Sequence, residues 1–75
     1  MIYKITVETR IYGKRKTYIH DKEYTEFYFS RARKLYVDLV KQYLEEYSRD
    51  EFSSCTIQLV EFNDTAYNIL YLWKI

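Results

Sequence analysis

Few residues of this chain could carry out acid–base or covalent chemistry. His20 is the only histidine and Cys55 the only cysteine among 75 residues. A histidine with no cysteine or second histidine nearby predicts no zinc site. A lone cysteine in a strand-forming stretch is usually a buried small hydrophobe, and it excludes an intrachain disulfide. One glycine, Gly13, is too few for a phosphate-cradling loop. We therefore expect no metal, no cofactor and no enzymatic activity.

Carboxylates cluster in one short stretch after the middle of the chain. The cluster consists of Glu45, Glu46, Asp50 and Glu51. Paired carboxylates can work as acid and base, but a charge cluster at the end of a helix is usually a solvated face. We expect these four residues to offer negative charge to a binding partner rather than to a reaction.

Two groups of basic residues suggest a different chemistry, the binding of phosphates. The first group is Lys14, Arg15 and Lys16, and the second is Arg31, Arg33 and Lys34. Tyr12, Tyr18 and Tyr28 are interspersed with them, and aromatic rings can stack on bases. Against this, the net charge is only +1, far below the usual footprint of a nucleic-acid-binding domain. Nucleic-acid binding is therefore the alternative function.

The element that must position these groups is an amphipathic helix over residues 30–47. Apolar side chains recur there at intervals of three and four residues, which places them on one face. They are Ala32, Leu35, Tyr36, Leu39, Val40, Tyr43, Leu44 and Tyr47. Ser30 is the candidate N-cap, although the flanking charges are inverted relative to the helix dipole. The alternative is a start near residues 21–25, but residues 24–29 alternate as a strand does, which favours the later start.

Four strands surround the helix. Residues 2–12 alternate polar and apolar as a half-buried strand does, and Gly13 with Lys14 predicts a hairpin turn into a strand over residues 15–20. Residues 55–62 and 66–75 form the second pair, joined by a turn at Asn63 and Asp64. The chain is thus predicted to be a single α+β domain over residues 1–75. Its order is ββαββ, with a four-stranded, largely antiparallel sheet and one helix on one face.

A single helix covers one face of such a sheet, so the other face should be polar. The C-terminal hairpin breaks this rule, because both of its sides carry large apolar residues. In the fourth strand Tyr67, Ile69, Tyr71 and Trp73 are predicted to share one side, with Leu70 and Leu72 on the other. We expect Phe62, Tyr67 and Tyr71 to bind a partner. The cover is residues 21–29 folded back, a second copy of the chain as a homodimer, or a different protein.

The chain shows no h-region of a signal peptide and no apolar run of about 18 residues that could cross a membrane. We expect a soluble protein of the cytoplasm that does not bind membranes. The ten tyrosines are unusual for this length, and tyrosine is enriched at interfaces.

In its size, its lack of proline and its richness in Tyr, Lys, Glu and Ile, the chain resembles small phage-encoded accessory proteins. Anti-CRISPR and other anti-defence inhibitors are among them. The resemblance covers the whole chain through composition and includes no motif. It implies an inhibitor that docks on a host defence complex, with the Glu45–Glu51 stretch mimicking nucleic-acid charge. We therefore predict a non-catalytic protein-binding module that acts on a larger protein or complex.

Overall fold

The computed structural model describes residues 1–13 and 16–75. Its strands are β1 (Ile2–Tyr12), β2 (Thr17–Glu26), β3 (Ser54–Phe62) and β4 (Tyr67–Lys74). One helix, α1 (Phe29–Ser48), connects β2 to β3. This order confirms the predicted ββαββ arrangement of an α+β protein.

The four strands form one open antiparallel sheet in the order β2-β1-β3-β4. Hydrogen bonds are formed at the ends of both hairpins. At the first, the Gly13 N–H donates to the Lys16 carbonyl at 2.7 Å. At the second, the Asn63 side-chain oxygen accepts from the N–H groups of Thr65 and Ala66 at 3.1 and 2.9 Å, which is how asparagine stabilises a turn. In the order β2-β1-β3-β4, the strands β2 and β4 are the two edges of the sheet.

The hydrophobic core lies between α1 and one face of the sheet, which we call the helix face. The alternation of β1 and β3 places Ile5 opposite Leu59 and Val7 opposite Ile57 on this face, and all four are at most 1% exposed. From the helix, the core receives Ala32, Leu39 and Tyr43. The opposite side, which we call the open face, is covered by no element among the described residues.

The helix begins one residue before the predicted start. Tyr28 occupies the N-cap position and makes no capping hydrogen bond through its side chain. Ser30 as the N-cap was therefore a wrong prediction, as was the alternative start near residues 21–25. Phe29 is the first residue of the helix, and its ring contacts the ring of Tyr3 on β1 at a centroid distance of 5.5 Å.

The helix ends in a left-handed turn at Asp50, whose φ is +58°. The Glu51 N–H donates to the Glu46 carbonyl at 3.1 Å, and the Asp50 N–H donates to the Tyr47 carbonyl at 3.0 Å. This pair of bonds is the Schellman arrangement, which usually has glycine at the left-handed residue. Aspartate tolerates that conformation better than most residues do.

The second strand is longer than predicted. β2 continues through the charged residues 21–23 to Glu26, which pairs with Tyr3. Charged side chains do not interrupt it because an edge strand needs only one paired neighbour. As a result, residues 21–26 lie at the sheet edge opposite β4, so the alternative in which residues 21–29 fold back over the C-terminal hairpin is contradicted.

A β-bulge in β4 corrects the predicted faces of that strand. Leu59 pairs with Tyr71, but the next residue, Val60, pairs with Ile69, which leaves Leu70 without a partner on β3. The extra residue reverses the alternation. Tyr67 and Ile69 therefore lie on the open face with Leu72, whereas Tyr71 and Trp73 lie on the helix face.

Candidate functional site

The largest apolar group on the open face follows β4 and the end of β3. It consists of Phe62, Tyr67, Ile69 and Leu72, and we call it the β4 ridge. Tyr67, Ile69 and Leu72 are 63%, 52% and 57% exposed. The rings of Phe62 and Tyr67 stack on each other at a centroid distance of 5.6 Å. Two of the three predicted aromatic binding residues are thus brought together on an exposed surface.

Lys4 marks the boundary between the ridge and the polar half of the open face. Its ammonium lies 5.1 Å from the centroid of the Phe62 ring and 3.0 Å from a carboxylate oxygen of Glu23 on β2. A second pair, Arg10 with Glu8 at 2.8 Å, lies further along β1. The polar half of the open face therefore carries ion pairs, whereas the β4 ridge presents apolar groups to the solvent.

The third predicted aromatic residue, Tyr71, lies on the other face of the sheet. Its ring stacks on Tyr36 of α1 at 5.5 Å, with an angle of 28° between the planes, and 39% of Tyr71 stays exposed. Burial and the neighbouring Tyr71 hydroxyl raise the pKa of Tyr36. Tyr71 therefore packs β4 against the helix and does not belong to the β4 ridge.

A cavity of about 450 Å³ opens beside Tyr71 at the edge of the helix face. It is lined by Tyr3, Phe29, Glu61, Leu70 and Tyr71. Sequence reasoning assigned no role to Tyr3, Phe29 or Glu61 in binding. Their proximity depends on the β1–β3 register, which places Tyr3 opposite Glu61, and on the packing of Phe29 against Tyr3.

The four predicted acidic residues do not form one compact site. Glu46 and Glu51 line the same groove, which is also lined by His20 and Lys22 of β2. Glu46 also accepts a hydrogen bond from Gln42 at 3.3 Å. Glu45 and Asp50 are exposed, and no ion pair involves either among residues 1–13 and 16–75.

The described members of the two basic groups lie at opposite ends of the β1–β2 hairpin. Lys14 and Arg15 fall outside the described residues, and the exposed Lys16 lies at the hairpin tip. The helix start lies at the other end of β1, roughly 30 Å away for an 11-residue strand.

The basic group at the helix start is itself divided. The Arg31 guanidinium lies over the Tyr28 ring at 5.3 Å, while Arg33 and Lys34 line a groove beside Val37 and Asp38. Among the described residues, the fold therefore does not join Lys16 and the basic residues of the helix start into one patch.

The nucleophile and ligand candidates are dispersed. Cys55 is 1% exposed, and burial, with a smaller contribution from Glu46, raises the pKa of its thiol to about 11. A thiol with this pKa is protonated at neutral pH and is a poor nucleophile. Within the described part of the chain, no three His, Cys, Asp or Glu side chains are grouped so that they could hold a metal ion.

No protein-family model matches the chain, and neither a curated protein nor a solved structure shows significant similarity to it. Among the described residues, no helix combines the length and the apolar character needed to span a membrane.

Proposed function

We propose that this chain is a non-catalytic protein-binding module that docks on a larger protein through the β4 ridge. The observation that carries the proposal is the exposure of Tyr67, Ile69 and Leu72 on one side of an edge strand. Large apolar side chains that are grouped on a surface mark interaction sites, because burying them against a partner removes apolar area from water and lowers the free energy.

The two edges of the sheet differ in a way that supports this surface. β2 carries five acidic, basic or imidazole side chains along its length: His20, Asp21, Lys22, Glu23 and Glu26. Such residues protect an edge strand against pairing with other chains. β4 carries only Lys74, at its end. An unprotected apolar edge suits a partner that contacts both the side chains and the free backbone groups of β4.

The target class follows from composition alone. Because the chain resembles small phage-encoded accessory proteins in size and residue usage, a host defence complex is the first class of partner to test. In that setting the β4 ridge supplies apolar contact area. The acidic residues Glu45, Glu46, Asp50 and Glu51 are proposed to contact basic residues of the target.

A matched pair of substitutions tests the surface. Ile69 and Ile19 are 52% and 53% exposed and lie on β4 and β2, the two edge strands. Ile69 belongs to the β4 ridge. Ile19 lies opposite Arg10 on the open face, away from the ridge. Immobilised wild-type, I69K and I19K chains are compared in capture of proteins from the native host, after circular dichroism has shown equal folding.

We expect the wild type and I19K to retain one stoichiometric protein complex and I69K to lose it. Retention by all three chains, or capture of nothing stoichiometric by the wild type, contradicts the proposal. Solution scattering of the purified chain is the companion measurement. A dimer that I69K alone dissociates would show that the occupant of the ridge is a second copy rather than a different protein.

Nucleic-acid binding through the basic residues is the alternative function, and salt distinguishes it. Phosphate contacts weaken steeply as salt rises, because bound counterions are released. Generic single- or double-stranded nucleic acid should therefore bind at low salt and be lost at high salt, and K16A and R33A should weaken it. If no such binding occurs at low salt, this alternative is excluded.

A further inference from the structure

One row of residues across the helix face places carboxylates on both sides of an aromatic ring. Tyr3 on β1 pairs with Glu26 on β2 and with Glu61 on β3. Directly opposite residues in antiparallel strands have Cβ atoms about 4.5–5.5 Å apart and share a face. Tyr3, Glu26 and Glu61 are all half-buried.

Aromatic rings form the walls above this row. The Phe29 ring is tilted by 56° from the Tyr3 ring, at a centroid distance of 5.5 Å. Tyr71 and Leu70 complete the lining of the 450 Å³ cavity that contains Glu61. Tyr71 is already stacked on Tyr36, which fixes the orientation of its ring. The cavity is thus open to solvent and bounded by three aromatic residues, one aliphatic residue and one carboxylate.

We propose that this cavity binds a cationic side chain, arginine or lysine, presented by the partner protein. The face of an aromatic ring attracts a cation, and Glu61 supplies an opposite charge for a charge-assisted hydrogen bond. The volume accommodates a single long side chain.

The charges around the cavity favour a cation over an apolar group. Neither Glu61 nor Glu26 forms an ion pair with another residue in the described ranges 1–13 and 16–75. An apolar occupant would remove water from the Glu61 carboxylate and offer it neither a hydrogen bond nor an opposite charge. Desolvation of an unpaired carboxylate is unfavourable. Arg33 and Lys34 of the helix line a separate groove beside Phe29 and do not line this cavity.

This cation site rests on the proposed function only for the source of the cation, the partner protein. It is tested without the partner, by NMR titration of the full chain with N-acetylarginine methylamide and N-acetyllysine methylamide. The neutral isostere N-acetylcitrulline methylamide is the control for shape. We expect saturable shifts of the ring protons of Tyr3, Phe29 and Tyr71, in the millimolar range that a single side chain reaches.

Variants locate the binding. E61Q should weaken binding of both cationic probes about fivefold or more, since a charge-assisted bond is worth at least ~1 kcal/mol, and F29L should weaken it through loss of one ring. The matched control is D38N, which removes the same charge from an exposed helix position and should leave binding unchanged. Equal binding of the citrulline probe, an unaffected E61Q, or no saturable shift overturns the inference.

The two proposals fail separately. If the cationic probes bind but I69K and the wild type capture the same proteins, the cation site stands and the β4 ridge is not the docking surface. If I69K loses the captured complex but the probes do not bind, the ridge stands and the cation site is wrong.

Discussion

The ring of Tyr36 on α1 stacks on the ring of Tyr71 on β4, with centroids 5.5 Å apart. Through this contact the edge strand β4 packs against the helix. Because Leu70 is the extra residue of a β-bulge, Tyr71 and Ile69 lie on different faces of the sheet. The bulge therefore gives β4 two functions: it packs against the core through Tyr71 and Trp73, and it exposes Tyr67, Ile69 and Leu72 on the open face.

The first prediction concerns this stacked pair. Y36A should lower the free energy of unfolding by about 1–2 kcal/mol, because it removes a half-buried ring and its aromatic partner. Y36F keeps the ring and should change stability little. In a double-mutant cycle with Y71A, measured by urea unfolding, we expect a coupling of about 0.5–1.5 kcal/mol. Strictly additive effects of Y36A and Y71A would show that the stacking adds nothing beyond burial.

The second prediction compares two leucines on opposite faces of the C-terminal hairpin. Leu59 is fully buried on the helix face, whereas Leu72 is 57% exposed on the open face. L59A should cost about 2–5 kcal/mol, since it leaves a cavity in the core. L72A should change stability by less than about 0.5 kcal/mol, as surface substitutions usually do. Chemical unfolding of both variants checks this, and similar losses would mean that Leu72 is covered in solution.

The third prediction concerns the end of the helix, where Asp50 has a φ of +58°. D50G should raise the free energy of unfolding by about 0.5–1 kcal/mol, because glycine adopts the left-handed conformation without a steric penalty. D50N is the matched control: it removes a negative charge from the negative end of the helix dipole but keeps a side chain. Thermal unfolding of D50G and D50N separates the steric effect of the left-handed conformation from the effect of the charge. A destabilised D50G would contradict the left-handed turn.

Patterns within the sequence predicted much of the fold correctly. The helix was predictable because its apolar residues recur with the helical period, and β1 because it alternates without interruption from Tyr3 to Ile11. These local patterns agree with the packing that each element adopts. The same regularity made the overall ββαββ order predictable.

The faces of β4 were not predictable, because no residue type requires a bulge at Leu70. The register of β4 depends on packing against β3 and the helix. In this register both Tyr71 and Trp73 lie on the helix face. A shift of one residue moves every later side chain to the other face. For the same reason the cavity beside Tyr71 was missed, since Tyr3, Phe29 and Glu61 come from three distant parts of the chain. The exposed apolar character of the hairpin was predictable, but the residues that carry it were not all identified.

The fourth prediction is a loss of stability at alkaline pH that originates in Cys55. Burial raises the pKa of its thiol from 9.0 to about 11, so the folded chain holds this proton more tightly than the unfolded chain does. Below pH 9 both states are protonated and stability does not depend on this group. As the pH rises from 9 to about 11, the unfolded chain loses the proton first, and folding loses about 2–3 kcal/mol.

Burial also raises the pKa values of Tyr36 and Tyr43 above their ordinary value of 10.0, which adds to the loss in the same direction from about pH 10 upward. Urea unfolding, followed by circular dichroism across this range, measures the total slope. C55A removes the thiol and should flatten the slope between pH 9 and about 11, while the contribution of the two tyrosines stays. Thiol alkylation gives an independent reading: because the Cys55 side chain is buried and protonated, the reagent should modify it only at the rate at which the chain unfolds. Fast alkylation under native conditions at neutral pH would contradict both the burial and the raised pKa.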